Sequence, residues 1–278
     1  METGLALAGG GVPGAAAVGV LMALEEAGIT VTHITGTSSG AMVAALYAYG
    51  YAPQQLLGIV PMLNRRYLDF DWRGILYKAL FRRPSLDGWL KGERLYKLMA
   101  ELTHYRDLSA LRIPCGIVAT DLADGKPFVF ANAEVPGYSW DYSFHIAEAV
   151  RASFAIPVLF RPFRRDAKLL VDGGVSTNCP VRICRAMGAS KVIAVDSVTL
   201  PAAAPSLLDG SFSILYKVIQ LTLKQQMENE HACADMGLLI DVGTVGAFDF
   251  HKVGDCIEAG YRTAAAHLDD IKAALGEG

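Results

Sequence analysis

The chain has 278 residues, of which 52% are hydrophobic and 19% charged, so it can bury a large core and an intrinsically disordered chain is excluded. Its formal net charge of −3 argues against nucleic acid as a main partner, because a protein that neutralises a phosphate backbone needs a basic binding surface. The five cysteines form no C-x-x-C pair, so neither a zinc site nor a disulfide framework is indicated, and a reduced, cytoplasmic compartment fits them best.

The N-terminal part of the chain is free of charged side chains over residues 3–24 and again over residues 27–64. A secretory signal peptide begins with positive charge, whereas only Glu2 precedes the first run. A membrane-spanning helix would carry three consecutive glycines and Pro13 near its centre, where proline breaks helical hydrogen bonds. Both runs are therefore interpreted as buried parts of an α/β core, and we predict no transmembrane segment.

Strand and helix patterns alternate along the whole chain. Short apolar or β-branched runs bounded by turn residues predict strands, and longer runs of good helix formers predict helices. Such alternation is typical of a three-layer α/β/α fold with a mostly parallel central sheet, which we expect to form one domain over residues 1–278 without a cofactor. The predicted strands are residues 5–8, 31–35, 113–120, 127–130, 169–171, 192–195 and 236–241, and the predicted helices are residues 15–27, 41–48, 54–64, 212–232 and 253–275.

The pentapeptide G-T-S-S-G at residues 36–40 lies between a predicted strand and a predicted helix that is apolar on every face. This is the pattern of a nucleophile elbow, in which the chain reverses so sharply that small residues, here Gly36 and Gly40, must flank the central serine. Ser38 is therefore the candidate nucleophile, and the backbone N–H of Ser39 is a candidate contributor to the site. The N–H groups at the start of the following helix would favour negative charge on a seryl adduct.

The glycine loop G-G-G-V-P-G at residues 9–14 fits the G-x-G-x-x-G pattern of dinucleotide-binding loops, with Gly14 as its last glycine. Such loops need an acidic residue at the end of the second strand to bind the ribose. No carboxylate occurs between Glu26 and Asp69, so we predict that the loop binds no dinucleotide.

A serine hydrolase instead needs backbone N–H donors that bind the oxyanion beside the nucleophile. Adjacent glycines at the end of a neighbouring strand can direct free N–H groups into that space without side chains in the way. Gly10 and Gly11 are the candidate principal donors of this oxyanion hole, and Gly9 is expected to shape the turn.

An aspartate is the candidate general base, because no histidine lies at the end of a late predicted strand, where a catalytic triad needs one. Asp172 follows the apolar run 168–171 and precedes Gly173 and Gly174, which would put a carboxylate at the carboxyl edge of a parallel sheet. Burial there would raise its pKa toward a range that is useful for proton transfer. A plain Asp-Gly turn is the alternative interpretation of the same residues.

The motifs G-G-G-x-x-G, G-x-S-x-G and D-G-G, taken in this order, resemble the patatin-like phospholipase family. Segments similar to that family are also found at residues 119–122 (A-T-D-L), 152–157 (A-S-F-A-I-P) and 172–180 (D-G-G-V-S-T-N-C-P). The resemblance implies a fold akin to cytosolic phospholipase A2 and a hydrolase of fatty-acyl lipid esters, of the phospholipase A or lysophospholipase type. It also implies a Ser38–Asp172 dyad that works through an acyl-enzyme, without a catalytic histidine, a metal or calcium.

One position departs from the family pattern. Many members have arginine where this chain has Pro13, so any contribution of that arginine to loop geometry or to binding an anionic headgroup is absent here. The expected oxyanion donors are unaffected by this exchange. Arg151, or Arg65 and Arg66 within the basic segment 65–91, are the candidate headgroup contacts.

The segment 65–91 combines seven Lys or Arg residues and six aromatic residues with three aspartates. Such a composition suits the headgroup region of a bilayer, so the segment is a candidate lid and a candidate site of peripheral membrane contact. An amphipathic lid packed on the core is the alternative.

Two alternative functions of the protein stay open as well: a non-lipid carboxylesterase or thioesterase with the same dyad, and a catalytically silent lipid-binding regulator.

Overall fold

The computed structural model describes residues 2–71, 88–197 and 210–276, with only part of the side chains between residues 211 and 225. Most of the predicted lid, residues 72–87, lies outside the described residues. The strands are β1 (Thr3–Leu7), β2 (His33–Thr37), β3 (Cys115–Asp121), β4 (Pro127–Ala131), β5 (Ser139–Asp141), β6 (Phe163–Arg165), β7 (Lys168–Asp172), β8 (Lys191–Asp196) and β9 (Met236–Leu239). The α-helices are α1 (Ala16–Glu26), α2 (Ser39–Tyr49), α3 (Pro53–Ile59), α4 (Glu93–Leu102), α5 (Ile146–Ser153), α6 (Val181–Ala186), α7 (Ser211–His231), α8 (Val253–Ala266) and α9 (Leu268–Leu275).

The strands form one sheet with the order β5-β4-β3-β2-β1-β8-β9, and β7 joins this sheet beside β3 with β6 as its other neighbour. Neighbours from β3 through β2, β1 and β8 to β9 are parallel, as is the pair β4–β5. The pairs β3–β4, β3–β7 and β6–β7 are antiparallel. The prediction of a mostly parallel sheet is therefore confirmed, although its antiparallel part includes the strand that ends at Asp172.

Alternate residues of the same strand face two different helical layers. In β1, Leu5 and Leu7 belong to a large core cluster with residues of α1, α2 and α8, whereas Ala6 belongs to a smaller cluster with residues of α6. Because successive side chains of a strand point to opposite faces, this division places helices on both sides of the sheet. The expected three-layer α/β/α arrangement is confirmed.

Helix α2 is buried over most of its length, as its uniformly apolar sequence predicts. Its residues 41–46 are at most 4% exposed, so the helix lies inside the molecule and not on its surface. It ends at Gly50, which adopts a left-handed conformation with φ 114. The helix begins directly after Ser38, so a central, rigid element fixes the position of that residue.

Some predicted elements differ from the structure. The helix predicted over residues 54–64 ends at Ile59, because Pro61 has no N–H with which to continue the helical hydrogen bonds. The helix predicted over residues 253–275 consists of α8 and α9, since His267 between them leaves the helical conformation with φ −113 and ψ 20. Helices α4, α5 and α6 have no counterpart among the predicted helices.

Candidate active site

Ser38 occupies a sharp turn between β2 and α2. It is buried, and its backbone has φ 53 and ψ −120, a conformation that residues with a Cβ rarely adopt. A Cβ added at Gly36 would lie 2.5 Å from the carbonyl carbon of Gly40, and one added at Gly40 would lie 2.5 Å from the carbonyl oxygen of Leu7. Both flanking glycines are therefore required by the close packing of the turn.

Asp172 comes next to Ser38 because two strands share one edge of β3. Strand β2 pairs with the first part of β3, where Thr37 is level with Val118, and β7 pairs with the last part, where Asp172 is level with Ala119. Since Ala119 also pairs with β4 on the opposite edge, β2 and β7 lie on the same edge and run toward each other. The residues at their carboxyl ends therefore meet.

The direction of β7 differs from the direction expected from the sequence. The sequence predicts Asp172 at the carboxyl end of a parallel strand, but β7 is antiparallel to β3 and hence to β2. The carboxylate still reaches the expected edge of the sheet, because β7 overlaps only the last three residues of β3 and stops where β2 ends.

The carboxyl group of Asp172 is buried and only partly hydrogen-bonded. Its Oδ1 accepts a hydrogen bond of 2.8 Å from the N–H of Gly174, while its Oδ2 is buried without a well-directed hydrogen bond from the described residues. Burial raises the pKa of Asp172 to about 6, although the Gly174 N–H and the nearby Ser38 side chain both favour the charged form. Gly173 has no room for a side chain, because an added Cβ would collide with the carbonyl oxygen of Val118.

The glycine loop after β1 lies against Ser38. A Cβ added at Gly9 would lie 2.8 Å from the Cβ of Ser38. The N–H of Gly9 donates to the carbonyl oxygen of Asn178 at 3.3 Å, whereas no hydrogen bond within the described ranges uses the N–H of Gly10 or Gly11. The last two N–H groups are thus the donors of this loop that a bound ligand can use.

The far end of the glycine loop is fixed by close backbone contacts. Gly11 adopts φ 71, and a Cβ added to it would collide with the backbone of Ala247. The N–H of Gly14 donates to the carbonyl oxygen of Gly11 at 3.1 Å, and a Cβ added at Gly14 would lie 3.0 Å from the Cβ of Ser39. Pro13 is buried in the first turn of the short 3₁₀ helix that follows, where a missing N–H leaves no hydrogen bond unmade.

Asn178 holds Gly9 from both sides, a role that is absent from the sequence-based prediction. Its carbonyl oxygen accepts the Gly9 N–H, and its side-chain Nδ2 donates to the Gly9 carbonyl oxygen at 3.2 Å. Asn178 is 2% exposed, so both hydrogen bonds are shielded from water. The residue lies within the family-like segment 172–180, which is the only sequence signal for it, because its partner is 169 residues away along the chain.

An apolar pocket opens beside the elbow and the glycine loop. Gly11 and Ser39 line one side of it, and the buried hydroxyl of Ser39 makes no hydrogen bond to the described residues. The other walls are apolar side chains from α2, α4 and the chain after α5, among them Met42, Val43, Leu95, Phe154, Ile156 and Phe160. Such a lining fits a hydrocarbon chain attached to a carbonyl group that reacts next to it.

Arg65 and Arg66, two of the candidate headgroup contacts, are exposed. They lie between Leu63 and Tyr67, both of which line the apolar pocket. Their charged groups therefore belong to a chain segment that borders the pocket.

Arg151, the third candidate headgroup contact, is buried. Its Nη2 donates to the carbonyl oxygens of Lys91 and Arg161, at 2.5 and 2.8 Å, and burial lowers the pKa of Arg151 to about 10. The guanidinium group therefore joins two chain segments in the interior. This position does not support the expectation that Arg151 contacts a headgroup.

In the part of the chain that the structure describes, no hydrogen bond or ion pair joins a histidine to Ser38 or Asp172. The same residues contain no cluster of His, Cys, Asp and Glu side chains that could hold a metal ion. No described helix combines the length and the hydropathy that a membrane span requires.

Comparison with known proteins gives a consistent result. A family model described as "Patatin-like phospholipase" matches residues 5–185. An uncharacterized NTE family protein of Mycobacterium tuberculosis is 28% identical over 291 residues, which cover 95% of this chain and 46% of that protein. Lysophospholipase NTE1 of Mycosarcoma maydis is 32% identical over 204 residues, which cover 70% of this chain and 10% of that protein. The chain thus spans less than half the length of these relatives.

A solved structure also resembles the fold. VipD from Legionella pneumophila superposes with a TM-score of 0.55 at 18% identity, covering 97% of this chain and 67% of that chain. At this level of identity the likeness concerns the fold alone.

Proposed function

The chain belongs to the patatin-like phospholipase family, and from this premise we propose that it is a serine hydrolase of fatty-acyl lipid esters, of the phospholipase A or lysophospholipase type. One observation carries the proposal above all. Ser38, the buried carboxyl group of Asp172 and the available N–H groups of Gly10 and Gly11 lie together beside an apolar pocket. One of the relatives is named a lysophospholipase, which agrees with this chemistry.

In the proposed acylation step, the Asp172 carboxylate accepts the proton of the Ser38 hydroxyl while Oγ attacks the carbonyl carbon of the ester. The negative charge that develops on the carbonyl oxygen accepts hydrogen bonds from the N–H groups of Gly10 and Gly11, and the N-terminus of α2 favours it. The bond to the leaving alcohol then breaks, and Asp172 returns its proton to that alcohol. An acyl-enzyme on Ser38 results.

In the proposed deacylation step, Asp172 accepts a proton from a water molecule that attacks the acyl carbon. The ester bond to Ser38 breaks, the proton returns to its Oγ, and the fatty acid leaves. A pKa of about 6 suits both steps, because the carboxyl group is mostly charged at neutral pH and still protonates without a large free-energy cost.

The proposed substrate is a lipid because the pocket beside Ser38 is lined almost entirely by apolar side chains. Residues 65–71, with the exposed Arg65 and Arg66, border this pocket and are the proposed site of contact with a membrane surface. The rest of the proposed lid, apart from residues 88–91, lies outside the described residues.

Labelling with a fluorophosphonate probe, followed by mass mapping of the adduct, tests the proposed nucleophile. We expect a phosphonate adduct on Ser38 of the folded protein and none in the Ser38→Ala variant. Ser109→Ala, which removes an exposed serine, is the control and should be labelled like the wild type. A folded protein without an adduct on Ser38 would overturn the dyad.

The substrate class is tested separately, by comparing hydrolysis of micellar lysophospholipid, diacyl phospholipid and short soluble esters. We expect a higher kcat/KM for the lipid substrates, because a long acyl chain can make more contacts with the apolar lining of the pocket than a short one. Hydrolysis confined to the short soluble esters would instead identify a non-lipid carboxylesterase.

A further inference from the structure

Ser153, at the end of α5, is bonded directly to the backbone of Ser38. Its hydroxyl oxygen accepts the Ser38 N–H at 2.9 Å and donates to the carbonyl oxygen of Val118 in β3 at 2.5 Å. Ser153 is 0% exposed, so no water competes for either bond. The hydroxyl therefore ties the strained turn at Ser38 to β3, the strand that pairs with both β2 and β7.

The next residues along the chain hold the other member of the dyad. The carbonyl oxygen of Ala155 accepts the N–H of Asp172 at 2.9 Å. Two residues of one short segment, Ser153 and Ala155, thus fix the backbones of Ser38 and Asp172. A displacement of this segment changes the distance between the two groups that exchange a proton.

Two other side chains of the same segment line the apolar pocket. Phe154 and Ile156 line it, while Ser153 and Ala155 make the two bonds to the dyad. An acyl chain in the pocket therefore contacts the segment that sets the spacing of Ser38 and Asp172.

Resting on the proposed function, we propose that residues 153–156 couple occupancy of the acyl pocket to the geometry of the Ser38–Asp172 pair, with Ser153 as the positioning residue. A long acyl chain packs against Phe154 and Ile156 and restricts the segment to the arrangement in which proton transfer is aligned. A short chain leaves the segment without this support. Chain length therefore acts on kcat and not only on KM, because it changes the alignment of the reacting groups.

Steady-state hydrolysis of a series of p-nitrophenyl esters, from acetate to dodecanoate, by wild type and Ser153→Ala tests this coupling. In the wild type we expect kcat to rise with chain length. In Ser153→Ala we expect kcat for the long esters to fall, on the order of 10²-fold for a misplacement of about 1 Å. The variant's kcat should then be nearly independent of chain length, while its KM still decreases as the chain grows.

Thr103→Val is the matched control. Thr103 directly follows α4 and is also 0% exposed, and its hydroxyl donates to the carbonyl oxygen of Met99 at 2.7 Å, so the control loses one buried hydroxyl hydrogen bond. We expect a smaller loss of thermal stability in Thr103→Val, which breaks one hydroxyl hydrogen bond where Ser153→Ala breaks two, and the kcat series of the wild type. The same ratio of long-chain to short-chain kcat in Ser153→Ala as in the wild type would overturn the coupling.

Ser153→Cys provides a second measurement if Ser153→Ala does not fold, because the thiol keeps a weak donor and acceptor at the same position. It should give a dependence of kcat on chain length that is intermediate between wild type and none. An unchanged dependence in this variant would again contradict the coupling. Failure of the proposed function gives a different result, namely a wild-type protein that hydrolyses none of the esters and forms no adduct on Ser38.

Discussion

At the scale of single residues, the chemistry proposed for this site depends on the carboxyl group of Asp172. Its pKa is raised to about 6 chiefly by burial, and the Gly174 N–H and the Ser38 side chain only partly offset this effect. The group is therefore a stronger base than an exposed aspartate and is still mostly charged at neutral pH.

The first prediction concerns the pH dependence of hydrolysis. The basic form of Asp172 is required, so kcat/KM for a soluble ester should level off above pH 6 and fall roughly tenfold per unit well below it. Asp172→Asn should lower kcat by on the order of 10³-fold or more and remove this pH dependence. A pH–rate profile of both proteins checks it, and near-wild-type turnover in Asp172→Asn would show that another group is the base.

The second prediction concerns stability, because a buried charge is unfavourable in the folded state. The folded pKa of Asp172 is above its ordinary value of 3.8, so its contribution to the free energy of unfolding falls as pH rises from about 4 to about 6. A shift of about two units corresponds to roughly 3 kcal/mol. Asp172→Asn should therefore unfold at a higher temperature than the wild type at pH 8, and this difference should vanish near pH 4.

Asp124→Asn is the matched control for this measurement. Asp124 is exposed, but its Oδ1 accepts the N–H of Lys126 two residues later at 3.0 Å, as Asp172 accepts that of Gly174. The control should show no stabilisation at pH 8. Equal effects of the two substitutions would mean that burial of the Asp172 charge is not their cause.

The residues proposed for the site differ in how far the sequence reveals them. Ser38 and Asp172 are recognisable because the glycines that their turns require are adjacent in sequence. Ser153 and Asn178 lie in segments similar to the family, but their roles are not recognisable from sequence. They act through hydrogen bonds to backbone groups more than 100 residues away, and such contacts leave no local pattern. The burial of Arg151 could not be predicted from the sequence either, because its guanidinium group binds carbonyl groups that only the fold brings together.

At the scale of secondary-structure elements, the turn between β2 and α2 leaves no room for a side chain at either of its glycines, Gly36 and Gly40. The third prediction is that Gly36→Ala destabilises the protein by more than about 3 kcal/mol, the upper end of the usual cost of overpacking. The added methyl group would meet backbone atoms of Gly40, which cannot move aside as a flexible side chain can. Chemical denaturation of the variant and the wild type measures the difference.

Gly58→Ala, a glycine substitution in helix α3, is the control. An added Cβ at Gly58 meets no atom within 4 Å, and alanine favours the helical conformation of α3 by about 0.5–1 kcal/mol. This variant should be as stable as the wild type or slightly more stable. Comparable losses of unfolding free energy in both variants would mean that the packing of the elbow is not the cause of the destabilisation.

A local sequence pattern can predict that a strand exists but not in which direction it pairs. The apolar run that becomes β7 predicts a strand correctly, but strand direction depends on the pairing partner, and pairing with β3 is a property of the whole sheet. Helix α4 has leucine and methionine at helical spacing, at Leu95, Met99 and Leu102, so its sequence does contain a signal that the prediction missed.

At the scale of the whole molecule, the alternation of strands and helices is sufficient to predict the three-layer fold, because only helices on both faces can cover a mostly parallel sheet. The net charge of −3 does not repel the protein uniformly from an anionic bilayer, since exposed Arg65 and Arg66 concentrate positive charge beside the pocket. That local charge determines which face of the molecule is expected to approach lipid.

The fourth prediction is that Arg65→Ala and Arg66→Ala together weaken binding to vesicles of phosphatidylglycerol and phosphatidylcholine. At about 1 kcal/mol for each basic residue near an anionic surface, the double substitution should reduce binding roughly 30-fold at low salt. Sedimentation with the vesicles measures this loss. Arg262→Ala removes an arginine from α8 that is 72% exposed and should have little effect; equal loss in both proteins would exclude an oriented contact through residues 65–71.

The meeting of β2 and β7 on one edge of β3 has a consequence for how the protein acquires activity. Neither Ser38 nor Asp172 is positioned by its own neighbours in sequence alone. Each depends on the pairing of its strand with β3, which is distant along the chain from both residues. Long-range pairings of this kind close large loops and form slowly compared with helices. During refolding, secondary structure should therefore return before the proposed ability to cleave an ester, and recovery of hydrolysis is expected only once the central sheet is complete.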